Sequence, residues 1–274
     1  MSEFIAFIGG GQMAGSLIGG LRAAGHPAAR LRVAEPDAKR AEWLRNTFGV
    51  QVLQSGAEVA ANANALVLAV KPQVMQDALR GVTPAAGCTV VSIAAGVRVA
   101  QLQRWLNGAP GIVRCMPNTP AQLRSGVTAL YAPPETGAAA RGLAEKILGS
   151  VGATCWVQDE ALLDAVTALS GSGPAYFFLL TEVLREAGQA LGLDAATARL
   201  LAEKTFIGAA RMAEAGGKAG EDYIAELRAN VTSRGGTTEA ALAHLEKHGL
   251  RKLFTDALKV AERRGRELGA ALDQ

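Results

Sequence analysis

The stretch FIAFIGGGQMAGSLIGGL, Phe4 to Leu21, constrains this chain more than any other. A short apolar run ends at glycines, and a helical pattern from Gln12 to Ala24 begins at once. Gly9, Gly11 and Ala14 fit the G-x-G-x-x-G/A pattern of a dinucleotide-binding turn. In such a turn the first glycine makes the bend and the second lets a pyrophosphate approach the backbone. The small third residue lets helix and strand pack closely. Glycine turns after strands also arise for packing alone, so the pattern gains its meaning from what surrounds it.

Beyond this turn the chain alternates short β-branched runs with amphipathic segments. LRVAE (31–35) precedes AKRAEWLRNTF, and ALVLAV (65–70) is apolar throughout, as a central strand covered on both faces should be. CTVVSIA (88–94), GIVRCM (111–116), VTALYA and ATCWV (153–157) continue the series. Strands alternating with helices predict right-handed crossovers and a doubly wound, mostly parallel sheet. From Asp159 to Gln274 the pattern is helical, with breaks at GSGPA, GLD, GGKAG, SRGG and HGL. The expected organisation is a Rossmann-like α/β domain over 1–158 and an all-helical domain over 159–274. The segment from Pro174 to Leu191 is apolar nearly all round, which requires burial in a core or an interface between two subunits.

Composition narrows the function. A hydrophobic fraction of 49% and a charged fraction of 19% describe a globular chain. A net charge of +3 without a Lys/Arg block argues against a nucleic-acid partner. Cys88, Cys115 and Cys155 are widely spaced and lack a nearby His, which disfavours a disulfide scaffold or zinc site and fits a reducing cytoplasm. The N-terminus reads as neither signal peptide nor membrane span, and no other apolar run is long enough to cross a bilayer.

Several strand ends carry chemistry. Glu35 stands at the end of the second strand, where an acidic residue bonds the adenosine ribose hydroxyls and favours NAD; Lys39 and Arg40 are the competing feature, able to meet a 2′-phosphate. AVKPQ (69–73), SIAAG (92–96) and MPNTP (116–120, with Asn118) end further strands and would converge on one cleft. SGSGPAY (170–176) reads either as a tight turn entering a helix or as small residues lying under a nicotinamide. His26, His244 and His248 lie outside every motif, and Tyr176, Phe177 and Phe178 occupy the region where a hydroxyacid dehydrogenase keeps its lysine. A substrate that already carries its proton needs no such acid. VTSRGGTTEAAL (231–242) reads both as a hydroxyl-capped helix start and as an anion site built on free N–H groups.

Taken in order, FIGGGQMAGSLIGGL, LAVKPQ, VVSIAAGV, RCMPNTPA, DAVTALSGSGPAYFF and VTSRGGTTEAAL resemble the pyrroline-5-carboxylate reductase family from end to end. The resemblance implies NADPH- or NADH-dependent reduction of 1-pyrroline-5-carboxylate to L-proline, without a metal, by a homodimer or larger homo-oligomer. It places cofactor contacts on Ile8, Gly9, Gly10, Gly11, Gln12 and Met13, then on Ala69, Val70, Lys71 and Pro72. Ser92, Ala94, Ala95 and Asn230 complete them, beside the Glu35 and Asn118 already singled out at strand ends. Substrate contacts fall on Glu160, Ser233, Gly236, Thr237 and Thr238, with Thr238 implied as the catalytic hydroxyl beside the imine nitrogen. Two departures stand out: Glu35 stands where the family often has Ser, Asn or Arg nearby, and Arg234 replaces its usual proline. The rivals are another small-acid imine or hydroxyacid reductase, and a dinucleotide sensor, which would have no reason for the TSRGGTT loop.

Overall fold

A computed structural model describes residues 3–109, 111–216 and 222–273. Most of the GGKAG break expected near residue 218 lies outside the described residues. The described residues divide into two compact units, one running to Ser172 and taking in the stretch from Lys259 onward, the other Gly173–Leu258. This division falls later than the 158/159 boundary drawn from the sequence. Trp156 ends the last strand, but Glu160 and Asp164 remain bonded to arginines of the first unit.

The first unit is built on an 8-stranded sheet of order β3-β2-β1-β4-β5-β6-β7-β8. Its strands are β1 (Ile5–Ile8), β2 (Leu31–Ala34), β3 (Gln51–Leu53) and β4 (Ala65–Leu68). The others are β5 (Thr89–Ser92), β6 (Ile112–Met116), β7 (Gly126–Tyr131) and β8 (Gly152–Trp156). All neighbours pair in parallel except β6 and β7. The crossovers carry α1 (Gln12–Ala23), α2 (Ala38–Phe48), α3 (Gly56–Ala60), α4 (Met75–Ala78), α5 (Val99–Trp105) and α6 (Ala138–Gly149). After β8 come α7 (Leu162–Val166) and a π-helical turn, Thr167–Gly171.

β1, β4 and β5 are buried along their whole length, because alternate residues feed a core on each face. Phe7, Val67 and Val91 join Leu17, Leu21 and Ile147 on one side. Ala6, Ile8, Leu66 and Leu68 join Leu79, Val90 and Leu102 on the other. β3 is not apparent in the sequence, because QVL is too short to show alternation, and β4 ends two residues before the apolar run does. Ala69 and Val70 turn out of the sheet toward the cleft, with Ala69 N–H on the Ile8 carbonyl at 2.8 Å. Chain order reverses between β1 and β4, so a crevice opens at their carboxyl ends.

The second unit is helical: α8 (Gly173–Ala190), α9 (Ala195–Ala215), α10 (Tyr223–Asn230), α11 (Thr237–Lys247) and the start of α12 (Leu250–Ala270). α8 and α9 form a hairpin at the GLD break. Gly192 takes φ +99° there, and the Asp194 carboxylate caps α9 through the N–H groups of Ala196 and Thr197, both at 3.0 Å. Phe177 stacks on Phe206 at 5.9 Å between ring centres. Yet Phe177, Phe178 and Leu184 of α8 stay 56–59% exposed in the single chain. No helix among the described residues is long and apolar enough to cross a membrane.

Candidate active site

The glycine turn is tied down on several sides. Gly9 adopts φ +94°, and a Cβ there would meet Val70 Cγ1 at 2.7 Å and the Ala69 carbonyl oxygen at 2.9 Å. Gly10 donates its N–H to Glu35 Oε2 at 2.8 Å, while Glu35 Oε1 accepts from Asp37 N–H at 2.9 Å. Arg40 donates Nε–H to the Gly10 carbonyl and Nη2–H to the Gly11 carbonyl, the latter at 2.9 Å. Around Gly11 there is open space where a Cβ would stand, and the N-terminus of α1 has no side-chain cap.

A cavity of about 520 Å³ faces this turn, lined by Ile8, Gly9, Gly11, Glu35, Ala69, Val70 and Lys71 among others. An uncapped helix start, an approachable glycine and a carboxylate just after the second strand fit the pyrophosphate and ribose of a dinucleotide. Gly9→Ala should cost about 1–2 kcal/mol of backbone strain and close the turn against Ala69. A lowered melting temperature together with lost dinucleotide binding is the expected result, and calorimetry checks both.

The other expected residues are spread along the strand ends and the second unit. Gln12 Oε1 accepts from Gln122 Nε2 at 3.0 Å, Met13 packs on the core, and Pro72 starts a short 3-10 turn after Lys71. Ser92 ends β5 buried, Ala94 is buried after it, and Ala95 is exposed beside Gly96, which the Gly269 backbone approaches closely. Asn118 is already engaged: its Oδ1 accepts Val127 N–H at 3.0 Å and its Nδ2 donates to Ser170 Oγ at 3.3 Å. Gly171 leaves room for the Met116 methyl, so the tight-turn reading of SGSGPAY has a physical basis. Asn230 lies in the second unit, at the end of α10.

Glu160 is held by two partners that the sequence did not reveal. Its Oε1 accepts from Arg114 Nη1 at 2.9 Å and from Val99 N–H, at the start of α5, at 2.7 Å. Arg98 Nη2 bonds Asp164 Oδ2 at 2.6 Å alongside. Arg114 is almost wholly buried in β6, and burial draws its pKa down while the Glu160 carboxylate opposes that shift. Periodicity gave no hint of Arg114, because a charged residue inside an apolar strand announces burial only once its partner is known. Nor could it separate catalytic from inert thiols. Burial raises Cys88 to about 11 and pushes Cys115 higher.

In the second unit, Ser233 to Thr238 form the turn into α11. The hydroxyl-cap expectation is corrected here: the N-cap is Gly236 and no side chain caps the helix, so Thr237 and Thr238 sit inside its first turn. Instead Glu239 Oε2 accepts Gly235 N–H at 2.6 Å, with Gly235 at φ +71°. Thr237 and Thr238 are exposed, and their N–H groups have no partner among the described residues. Among the described residues, no three His, Cys, Asp or Glu side chains group to hold a metal.

Known proteins bear on this arrangement. A family described as pyrroline-5-carboxylate reductase dimerisation matches residues 160–268, and one described as NADP oxidoreductase coenzyme F420-dependent matches residues 4–96. A pyrroline-5-carboxylate reductase of Pseudomonas aeruginosa is 47% identical over 272 residues, covering 98% of each chain. The solved pyrroline-5-carboxylate reductase of Coxiella burnetii superposes with a TM-score of 0.90 at 41% identity, covering 98% of this chain and 99% of that one. The Plasmodium falciparum pyrroline carboxylate reductase with NADP bound gives 0.81 at 27% identity, covering 97% and 98%. With both its domain types matched and near-complete coverage of such relatives, this chain belongs to the pyrroline-5-carboxylate reductase family.

Proposed function

We propose that this chain reduces 1-pyrroline-5-carboxylate to L-proline with NADH or NADPH, the last step of proline biosynthesis. The single observation that carries the reading is the uncapped start of α11, with two threonines in its first turn and glycines before it. In this reading the N–H groups after Gly236 and the Thr237 hydroxyl take the substrate carboxylate, as a helix start favours. Ser233 and the Gly236 backbone flank it; Glu160 is a further substrate contact that the family resemblance implies, and its Oε2 has no partner among the described residues. The cofactor supplies a hydride to the ring C=N carbon. The Thr238 hydroxyl lies beside the imine nitrogen, orienting it and stabilising its changing charge. The imine is protonated for part of its population, so no histidine or lysine acid is required.

The first unit would hold the cofactor: Gly11 and Gln12 N–H groups on the pyrophosphate, Glu35 by the ribose, and Ala69–Pro72 with Ser92–Ala95 lining the cleft. Ile8, Gly9, Gly10 and Met13 shape the turn, Asn118 fixes the MPNTP loop, and Asn230 is a further cofactor contact that the family resemblance implies. Residues 1–158 would thus act as the cofactor domain and 159–274 as the dimerisation and substrate-binding domain. The test is to mix the purified chain with pyrroline-5-carboxylate and each cofactor, monitoring nicotinamide absorbance and identifying proline. No turnover with either cofactor overturns the reading. NADH should be at least competitive with NADPH, since a 2′-phosphate would meet the Glu35 carboxylate and Arg40 is already bonded to the turn. A preference for NADPH above about a hundredfold in kcat/KM contradicts that.

The assembly in this reading is a homodimer, or a larger homo-oligomer built from it, through the helices after Asp159. The exposed Phe177, Phe178 and Leu184 of α8 support it, because monomers rarely leave such patches open. Light scattering at micromolar concentration should find no active monomer. The cytoplasm suits the free thiols of Cys88, Cys115 and Cys155.

A further inference from the structure

We infer that Arg40 is a positioning residue for the cofactor pyrophosphate, acting from behind the glycine turn and never touching the ligand; this rests on the nicotinamide-cofactor reading above. Arg40 donates to the carbonyls of both Gly10 and Gly11. In a trans peptide the carbonyl and the next residue's N–H point in opposite directions. Holding these two carbonyls on one side therefore turns the N–H groups of Gly11 and Gln12 to the other. Neither N–H has a partner among the described residues, whereas Gly10 N–H is taken by Glu35. Two donors are left free: the guanidinium holds the Gly10 carbonyl behind Gly11 N–H, and it shares the Gly11 carbonyl, behind Gln12 N–H, with Gly15 N–H at 2.9 Å.

That guanidinium is itself fixed. Arg40 Cζ lies 3.9 Å from the Trp43 ring centre, and Trp43 meets Phe48 edge-on at 5.2 Å. Room for the stack comes from α1: a Cβ on Gly15 would stand 3.0 Å from Arg40 Nη2 and 3.1 Å from Trp43, and one on Gly19 3.2 Å from Phe48. Asp37 Oδ1 also accepts Arg40 N–H at 2.7 Å, which anchors the backbone from which the side chain reaches. A planar fork bridges two adjacent carbonyls, and an ammonium cannot reproduce that geometry. Arg40 also places a positive charge behind the peptides that would meet the phosphates.

The test compares Arg40→Met and Arg40→Lys with the parent chain, measuring Kd for ADP-ribose, NADH and NADPH together with kcat at saturating cofactor. Positioning predicts that Arg40→Met weakens all three ligands alike, by about tenfold, with kcat nearly unchanged. Arg40→Lys should lose a smaller, equally uniform factor, and it carries the test if the methionine variant does not fold. A loss confined to NADPH would make Arg40 a 2′-phosphate contact and overturn the inference. So would unchanged affinities with a lowered melting temperature, the mark of a merely structural residue, or a parallel fall in kcat. Failure of the parent chain to bind ADP-ribose would remove the cofactor reading itself, and the inference with it.

Discussion

Glu160→Ala should destabilise the first unit by about 3–5 kcal/mol, the usual result of removing one partner from a buried ion pair. Arg114 would keep its charge in β6 with 4% side-chain exposure and lose the carboxylate that bonds it at 2.9 Å. Val99 N–H, at the start of α5, would lose its acceptor in the same substitution. Asp164 stays nearby but is already bonded to Arg98, so it compensates little. Glu160→Gln should fall between the two, because an amide oxygen still accepts both hydrogen bonds without the charge. Urea unfolding of the three proteins measures this, and equal midpoints for Glu160→Ala and the parent would show that Arg114 does not depend on Glu160. In the proposed function Glu160 also touches substrate, so its variants should raise KM for pyrroline-5-carboxylate beyond what the loss of stability explains.

Thr238→Ala should lower kcat/KM for pyrroline-5-carboxylate by about ten- to a hundredfold while leaving NAD(P)H affinity nearly unchanged. A hydroxyl bonded to the reacting nitrogen contributes roughly 1–3 kcal/mol, and more of it appears in kcat when the bond strengthens in the transition state. A capping threonine would behave differently: its loss costs about 1 kcal/mol of stability and spares the kinetics. Thr238 lies inside the first turn of α11 behind the Gly236 N-cap and caps nothing, so its melting temperature should hardly move. Kinetics and thermal unfolding on one preparation separate the two roles. A lowered melting point with unchanged kcat/KM would make the threonine structural.

The fold was legible in the sequence wherever burial imposes a period. β1, β4 and β5 are covered on both faces and announce themselves as short apolar runs, while α2 reads from AKRAEWLRNTF with Asp37 before it and Gly49 after it. β3 escaped because three residues cannot display alternation. The antiparallel turn from β6 to β7 escaped because strand direction is a property of pairing.

The glycine turn was legible for the same local reason. Gly9 is glycine because its own backbone turns through φ +94° against Ala69, and the turn is written in the residues next to it. By itself the sequence also marked α8 as a helix in need of cover, because its apolar residues run nearly around it, while the structure leaves Phe177, Phe178 and Leu184 exposed in the single chain. Only the tertiary structure decided which charged and polar groups meet. Arg114 and Glu160 are 46 residues apart in the chain, Val99 and Glu160 61, and Arg40 and Gly10 30. A hydrogen bond depends on a few tenths of an ångström between atoms that sequence spacing leaves unrelated, whereas a strand or helix depends on neighbours already covalently near. The hydroxyls of Thr237 and Thr238 show the same division. Their residue types marked a helix start, and only the structure placed Gly236 at the N-cap and left both side chains without a capping role.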